Sequence, residues 1–166
     1  MTELQEGDPA EIVLENARWK ASSVAARSPE GALVIAGDTE VVLDGRTLGQ
    51  PAGEIEAEEM LRSLSGREHQ VLGALALLGP ELEGDRPRAR EGSVSSTVRF
   101  RELDEPTIAA YLASGEWEGR AGGYAIQGLG SALVEEVRGD VSNVIGLPVP
   151  LLLELAPELV APFQRP

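Results

Sequence analysis

The first residue of this sequence that could do chemistry is a carboxylate set between two apolar segments. Ala32-Leu33-Val34-Ile35-Ala36 reads as a buried strand, Gly37-Asp38-Thr39 interrupts it, and Val41-Val42-Leu43 is apolar again. Asp38 is therefore expected where a core strand ends. A carboxylate there is costly to bury unless hydrogen-bond donors, a cation or a ligand meet it. A turn aspartate satisfied by backbone amides is the plainer alternative. Lys20 is the second such residue, the only lysine in a chain whose other basic residues are all arginine. A codon bias toward arginine accounts for the rarity; so does a need for a compact point charge at one place instead of a planar fork. A third feature is Glu116-Trp117-Glu118-Gly119-Arg120-Ala121-Gly122-Gly123-Tyr124-Ala125-Ile126-Gln127-Gly128-Leu129-Gly130. Glycine at that density lets backbone approach a ligand closely, or makes a loop and nothing more.

Several elements must position these groups. Asp8-Pro9-Ala10-Glu11 combines an N-cap, a proline at the first helical position and an acid in the first turn, so a helix is expected to start there. Ala10, Val13, Leu14, Ala17, Ala21, Val24 and Ala25 form its apolar stripe, running to about Arg27. Lys20 falls at the stripe's edge, where its stem can lie on the core and its ammonium reach into a cleft. Asp44-Gly45 predicts a tight turn, and Gly49-Gln50-Pro51 breaks the chain before a helix carrying Ile55, Ala57, Met60, Leu61 and Leu64. A largely apolar strand follows from His69 to Leu78. The stretch from Gly79 to Gly92 reads as a surface turn into a strand over Ser93 to Arg101. Asp104-Glu105-Pro106 starts another helix through Ile108, Tyr111 and Leu112. A strand from Leu133 to Val137 turns at Gly139-Asp140, and Pro148 with Pro150 opens an apolar last helix around Leu151 to Leu155. Helices alternating with strands, and hairpins among the strands, predict an α/β fold with a mixed sheet.

Composition narrows the field. At 166 residues and 42% hydrophobic, with no internal repeat or linker, residues 1–166 are expected to form one domain with a real core. A net charge of −14 argues against nucleic-acid binding, though not against a small phosphorylated ligand in a locally positive cleft. Without cysteine, disulfides and thiolate metal sites are excluded. No apolar stretch is long enough to span a bilayer, and the opening MTELQEGDP is the opposite of a signal peptide; a cytoplasmic location is expected.

A sequence-wide resemblance joins these pieces. Val34-Ile35-Ala36-Gly37-Asp38-Thr39-Glu40-Val41-Val42 with Leu48-Gly49-Gln50-Pro51, then Leu64-Ser65-Gly66-Arg67-Glu68-His69-Gln70-Val71, then residues 121–130, and Gly139-Asp140-Val141-Ser142-Asn143-Val144-Ile145-Gly146-Leu147-Pro148 follow in order. Together they resemble the motifs of the Maf, or septum-formation, family. The resemblance implies two α/β lobes around a cleft, a fold similar to that of the inosine triphosphatases. It also implies a nucleoside triphosphate pyrophosphatase that releases the monophosphate and pyrophosphate with a divalent cation, Mg2+ or Mn2+. By position, Asp38 matches the family's proton acceptor, and Thr39 and Gln127 match positions associated with base preference in members similar to the dTTP/UTP enzymes. Lys20 matches a lysine of the first full helix, and Glu3 matches an acidic position upstream of it; Asp38 and Glu3 are the candidate metal ligands.

The chemistry fits such residues. Hydrolysis between the α and β phosphorus needs an oriented, partly deprotonated water and neutralised phosphate charge. Asp38 supplies the base, and Lys20 and Arg67 are candidates for the phosphate charge. Gln127 offers a carbonyl and an amide to a uracil or thymine edge. For Arg67 a helix cap, and for Gln127 a loop tether, remain open. The sequence departs from the family pattern twice. A Ser/Arg-rich phosphate-binding loop is expected before Met1 and is not in this sequence, so the chain is expected to be N-terminally incomplete relative to the family. An open sheet edge left by that loss predicts a homodimer. Gln50, counted among the substrate-binding candidates, stands where the family usually has lysine. A catalytically impaired nucleotide-binding or septation-regulating protein is the alternative these departures leave open, and a related hydrolase of another, modified nucleotide is a third.

Overall fold

The computed structural model describes residues 7–79 and 89–160. Helix α1 runs over Pro9–Ala25, with Asp8 accepting a hydrogen bond from the Ala10 amide at 2.9 Å and Pro9 in the first turn. Strand β1, Val34–Leu43, turns through Asp44 and Gly45, both at positive φ, into the short β2, Arg46–Leu48. Helix α2 is Glu54–Leu64, β3 is Glu68–Leu78 and β4 is Ala89–Phe100. Asp104 caps α3, Glu105–Ala113, by accepting from the Thr107 amide at 2.9 Å. Two 3-10 turns, Ala121–Gly123 and Gly128–Ala132, lead to β5, Val134–Arg138. The short helices α4, Val141–Ile145, and α5, Val149–Leu155, follow.

The strands form one sheet in the order β2-β1-β3-β4-β5, and every pairing among the described residues is antiparallel. The α/β class stands, but the sheet is not the expected mixed one. Strands β2 and β3 are parallel to each other and joined through α2, yet β1 lies between them, so their direction never becomes a parallel pair. Strand β2 covers only residues 41–43 of β1. Along residues 34–40, β3 is the one strand neighbour of β1 among the described residues.

The two faces of the sheet are packed differently. Alternate side chains of β1 and β3 put Val34, Ala74 and Ala76 against Val13, Ala17 and Ala21 of α1. The opposite face carries Val41, Leu43 and Val71 into a core with Leu61 and Leu64 of α2 and Ile108 and Leu112 of α3. Further along that same face, Leu75 and Leu77 pack against Leu151, Leu152 and Leu155 of α5. Between these two apolar bodies lies the middle of β3, where α4 sits on the strand. There a Cβ on Gly73 would stand 1.9 Å from Asn143 Oδ1, so only glycine admits the buried Asn143 side chain. Asn143 Nδ2 donates to Val71 O at 2.9 Å and to Ser96 Oγ at 3.1 Å.

Two sequence expectations change here. Strand β1 does not end at Asp38 but runs through it, because the carboxylate is satisfied by side chains of α1. The strand expected over Ser93 to Arg101 spans Ala89–Phe100; of the surface turn expected from Gly79 to Gly92, residues 80–88 lie outside the described residues.

Candidate active site

Asp38 lies midway along β1, paired in register with Ala74 and facing α1. Its carboxylate is 9% exposed, and Lys20 Nζ donates to Oδ1 at 2.5 Å. Asn16 Nδ2 donates to Oδ2 at 3.1 Å. Asn16 and Lys20 stand one helical turn apart, so a single face of α1 delivers a donor to each oxygen. The helix is rotated relative to the expected stripe: Ile12 and Asn16 are buried, whereas Ala10 and Val24 are exposed. That rotation brings Lys20 over the strand.

Thr39 follows on the opposite face of β1, in register with Gly73. Because β3 is the one strand beside β1 here among the described residues, the cleft wraps around the edge and both residues line it. One cavity, of about 200 Å³, is lined by Lys20, Asp38, Thr39, Gln50, Arg120 and Gln127. A second, of about 520 Å³, shares Lys20, Asp38, Thr39 and Gln50 and adds the carboxylates of Glu40 and Glu56. Lys20, Asp38 and Gln50 are thus common to both cavities, while Arg120 and Gln127 line the first and Glu40 and Glu56 the second.

The far wall is held by side chains that the sequence reading did not single out. Gln127 immediately precedes the 3-10 turn Gly128–Ala132, whose first amides are bound by Glu116: Oε1 accepts from Leu129 at 3.1 Å and Oε2 from Gly130 at 3.2 Å. The Ala125 amide donates to Tyr111 Oη at 2.9 Å. Tyr124, also on the cleft, shares a 2.8 Å hydrogen bond between its hydroxyl and His69 Nε2. The His69, Tyr124 and Phe100 rings meet edge to face, with centroids 4.8 to 5.5 Å apart. Burial pushes the His69 imidazole down to about 4 and the Tyr124 hydroxyl up, so both are neutral near pH 7.

Of the residues singled out from the sequence, the structure brings Lys20, Asp38, Thr39, Gln50 and Gln127 together at one cleft. Arg67 is elsewhere: its Nη2 donates to both carboxylate oxygens of Asp44 at 2.7 Å, and it lines neither cavity. The reason is the hairpin at Asp44-Gly45, which folds back over the end of α2 and offers a nearer anion. Glu3 lies outside the described residues. Asn16, Glu116, Arg120 and Tyr124 escaped notice for different reasons. Asn16 carried a signal, a polar residue four positions before Lys20 on the helix face turned to the sheet. Glu116 and Arg120 lay in a segment whose irregularity concealed which residues face inward.

Fold and site define an α/β protein with a carboxylate-centred cleft lined by both basic and acidic side chains. The chain matches the family described as Maf-like protein over residues 1–159, and it belongs to that family. It is 40% identical to a protein of Pyrococcus furiosus over 152 residues, covering 92% of this chain and 76% of the relative. It is 44% identical to one of Deinococcus radiodurans over 151 residues, covering 91% and 74%. A relative from Thermococcus kodakarensis is 43% identical over 148 residues, covering 89% and 76%. Each of the three is named dTTP/UTP pyrophosphatase.

Proposed function

We propose that this chain hydrolyses a nucleoside triphosphate of the dTTP/UTP kind to the monophosphate and pyrophosphate. The observation that carries the reading is Asp38 in the cleft with both oxygens oriented from α1, in a chain similar to enzymes of that name. Asp38 takes the proton of a water as the water's oxygen bonds to phosphorus at the α,β bridge. The bond from that phosphorus to the bridging oxygen breaks, and pyrophosphate leaves with the electron pair. Lys20, beside Asp38 on the cavity, carries a positive charge suited to the phosphate oxygens of the substrate. Asn16 keeps the carboxylate pointed, and Gln127 and Thr39 offer the polar atoms that recognise the base.

A divalent cation belongs to this reading. The oxygen donors at hand, Asp38 with Glu40 two positions along the same strand face and on the same cavity, suit Mg2+ or Mn2+. Among the described residues no group of three or more His, Cys, Asp or Glu is placed to hold an ion. Asp38 and Glu40 would hold it together with water and substrate oxygens. Bound there, it would neutralise charge on the phosphates as the bridge breaks. No helix among the described residues is long and apolar enough to cross a membrane; the reading includes a cytoplasmic location and a single catalytic domain.

The test is pyrophosphate release from a panel of nucleoside triphosphates with Mg2+, comparing the wild type with Asp38→Asn. Turnover of UTP and dTTP above ATP and GTP, lost in the variant, is expected. A folded wild-type chain that binds UTP without releasing pyrophosphate sinks the hydrolase reading.

A further inference from the structure

Lys20 and Arg120 are the basic residues lining the two cavities, and they differ in what they touch. Lys20 is committed to Asp38. The Arg120 guanidinium has no hydrogen-bond or carboxylate partner among the described residues. Arg18 binds Glu15 and Glu91, Arg62 binds Glu58 and Glu105, Arg138 binds Glu68 and Arg67 binds Asp44, and of the described arginines without such a partner, Arg27, Arg46, Arg101 and Arg120, Arg120 is the one that lines the cleft. An arginine kept from carboxylates at the mouth of a cleft is available to another anion.

Its backbone is meanwhile pinned. The Arg120 amide donates to Trp117 O at 3.2 Å, and the Gly123 amide donates to Arg120 O at 3.0 Å. The Gly122 amide donates to Gly49 O at 3.0 Å, which docks this turn on the loop carrying Gln50. Gly122 has φ +68°, and a Cβ there would stand 3.0 Å from the Val41 methyls, so the turn rests on the core strand with no room for a side chain. Glu116, a nearby carboxylate, is occupied by the Leu129 and Gly130 amides. With the backbone already fixed, only the side-chain rotamers are left to be ordered on binding, which limits the entropy lost.

We propose that Arg120 grips the polyphosphate of the substrate beside Gln50, supplying the cationic contact that Arg67 is too distant, and Gln50 too neutral, to provide. The assignment rests on the hydrolase reading above and adds the residue that holds the leaving group. A phosphate partner fits better than the base, because a guanidinium fork matches two phosphate oxygens and carries the charge they need. The neutral amide of Gln127 on the same cavity suits the uncharged base.

Three ligands separate the roles: UTP, inorganic pyrophosphate and uridine, measured on the wild type, Arg120→Ala and Arg120→Lys. In Arg120→Ala the KM for UTP and the pyrophosphate inhibition constant should each rise by about tenfold or more, as loss of a charge-assisted contact predicts. Uridine binding should not change, and Arg120→Lys should recover part of the loss, restoring the charge without the fork. An Arg120→Ala protein with wild-type KM and wild-type pyrophosphate affinity overturns the assignment. So does a loss for uridine as large as that for UTP, which would place the side chain at the base. Pyrophosphate binding measured by calorimetry tests Arg120 without turnover, so a failed hydrolase reading and a failed Arg120 assignment give different results.

Discussion

At the hairpin end of β1, the Asp44 side chain is 68% exposed and binds Arg67, itself 45% exposed. Earlier on the same strand, Asp38 is 9% exposed and binds Lys20. Each pair joins an aspartate to a basic side chain from another element. The first is surrounded by water, which screens it and leaves both ions solvated in either state, so it contributes at most ~1 kcal/mol and serves to close a turn. The second is largely out of water, has Asn16 as an additional donor, and borders the cavities. Desolvation makes the same chemistry consequential: a carboxylate without its full water shell has to be oriented by fixed donors, and a fixed carboxylate can hold one water molecule for attack. The cleft is thus built from an interaction type that elsewhere in this protein is ordinary surface structure.

Substitution of the two aspartates is the sharpest way to break this contrast. Asp38→Asn should lower kcat for UTP by ~100-fold or more, the usual range for loss of a general base, while leaving the thermal midpoint close to wild type. Comparable losses in Asp38→Asn and Asp44→Asn would mean that the site does not lie where the burial places it.

The next effect is on stability and comes from the buried ring cluster behind the cleft. His69 titrates near 6.5 when unfolded and is pushed down to about 4 in the fold by burial. Between those values the unfolded chain binds a proton that the folded chain does not. The stability from neutral His69 is therefore complete above pH ~6.5 and is lost as the pH falls toward 4, a total on the order of 3 kcal/mol. Chemical denaturation at pH 7 and pH 5 should show the decline in the wild type and a flatter response in His69→Gln. Parallel pH curves for the two proteins would dismiss the assignment.

Asn16 supplies a smaller prediction. Asn16→Ala removes one oriented donor and should reduce kcat by ~tenfold with KM little changed, since Lys20 and the cavity lining are untouched. A change in KM alone would show that Asn16 meets the substrate instead of Asp38. The smallest effect belongs to the surface pair: Arg67→Ala should leave kcat/KM within ~twofold and alter stability by less than ~1 kcal/mol, read from pyrophosphate release and urea unfolding. A large loss of UTP affinity in that variant would return Arg67 to the cleft.

Most helices and strands were legible because their signals are local. Asp8-Pro9 and Asp104 with Pro106 cap α1 and α3 where their side chains can accept from nearby amides. The Asp44-Gly45 turn follows from residues that tolerate positive φ. Helix α4 was not foreseen, since five residues between Asp140 and Gly146 are too short for helical periodicity to register. An open sheet edge was expected, but its place along residues 34–40 of β1, where β3 is the one strand neighbour among the described residues, depends on where β2 stops pairing.

By itself the sequence determined the capped helices, the turn residues, the acidic charge and the run of motifs that carries Asp38, Thr39 and Gln127. Each depends on side chains a few positions apart, or on identity at a position. Only the tertiary structure decided which charges became a site. Lys20 reached Asp38 and Arg67 reached Asp44 according to how α1 is rotated over the sheet and where the hairpin folds back. Arg120 faces the cleft because Gly122 docks on Gly49. An ion pair depends on distance and on loss of water, and packing sets both across parts of the chain far apart in sequence.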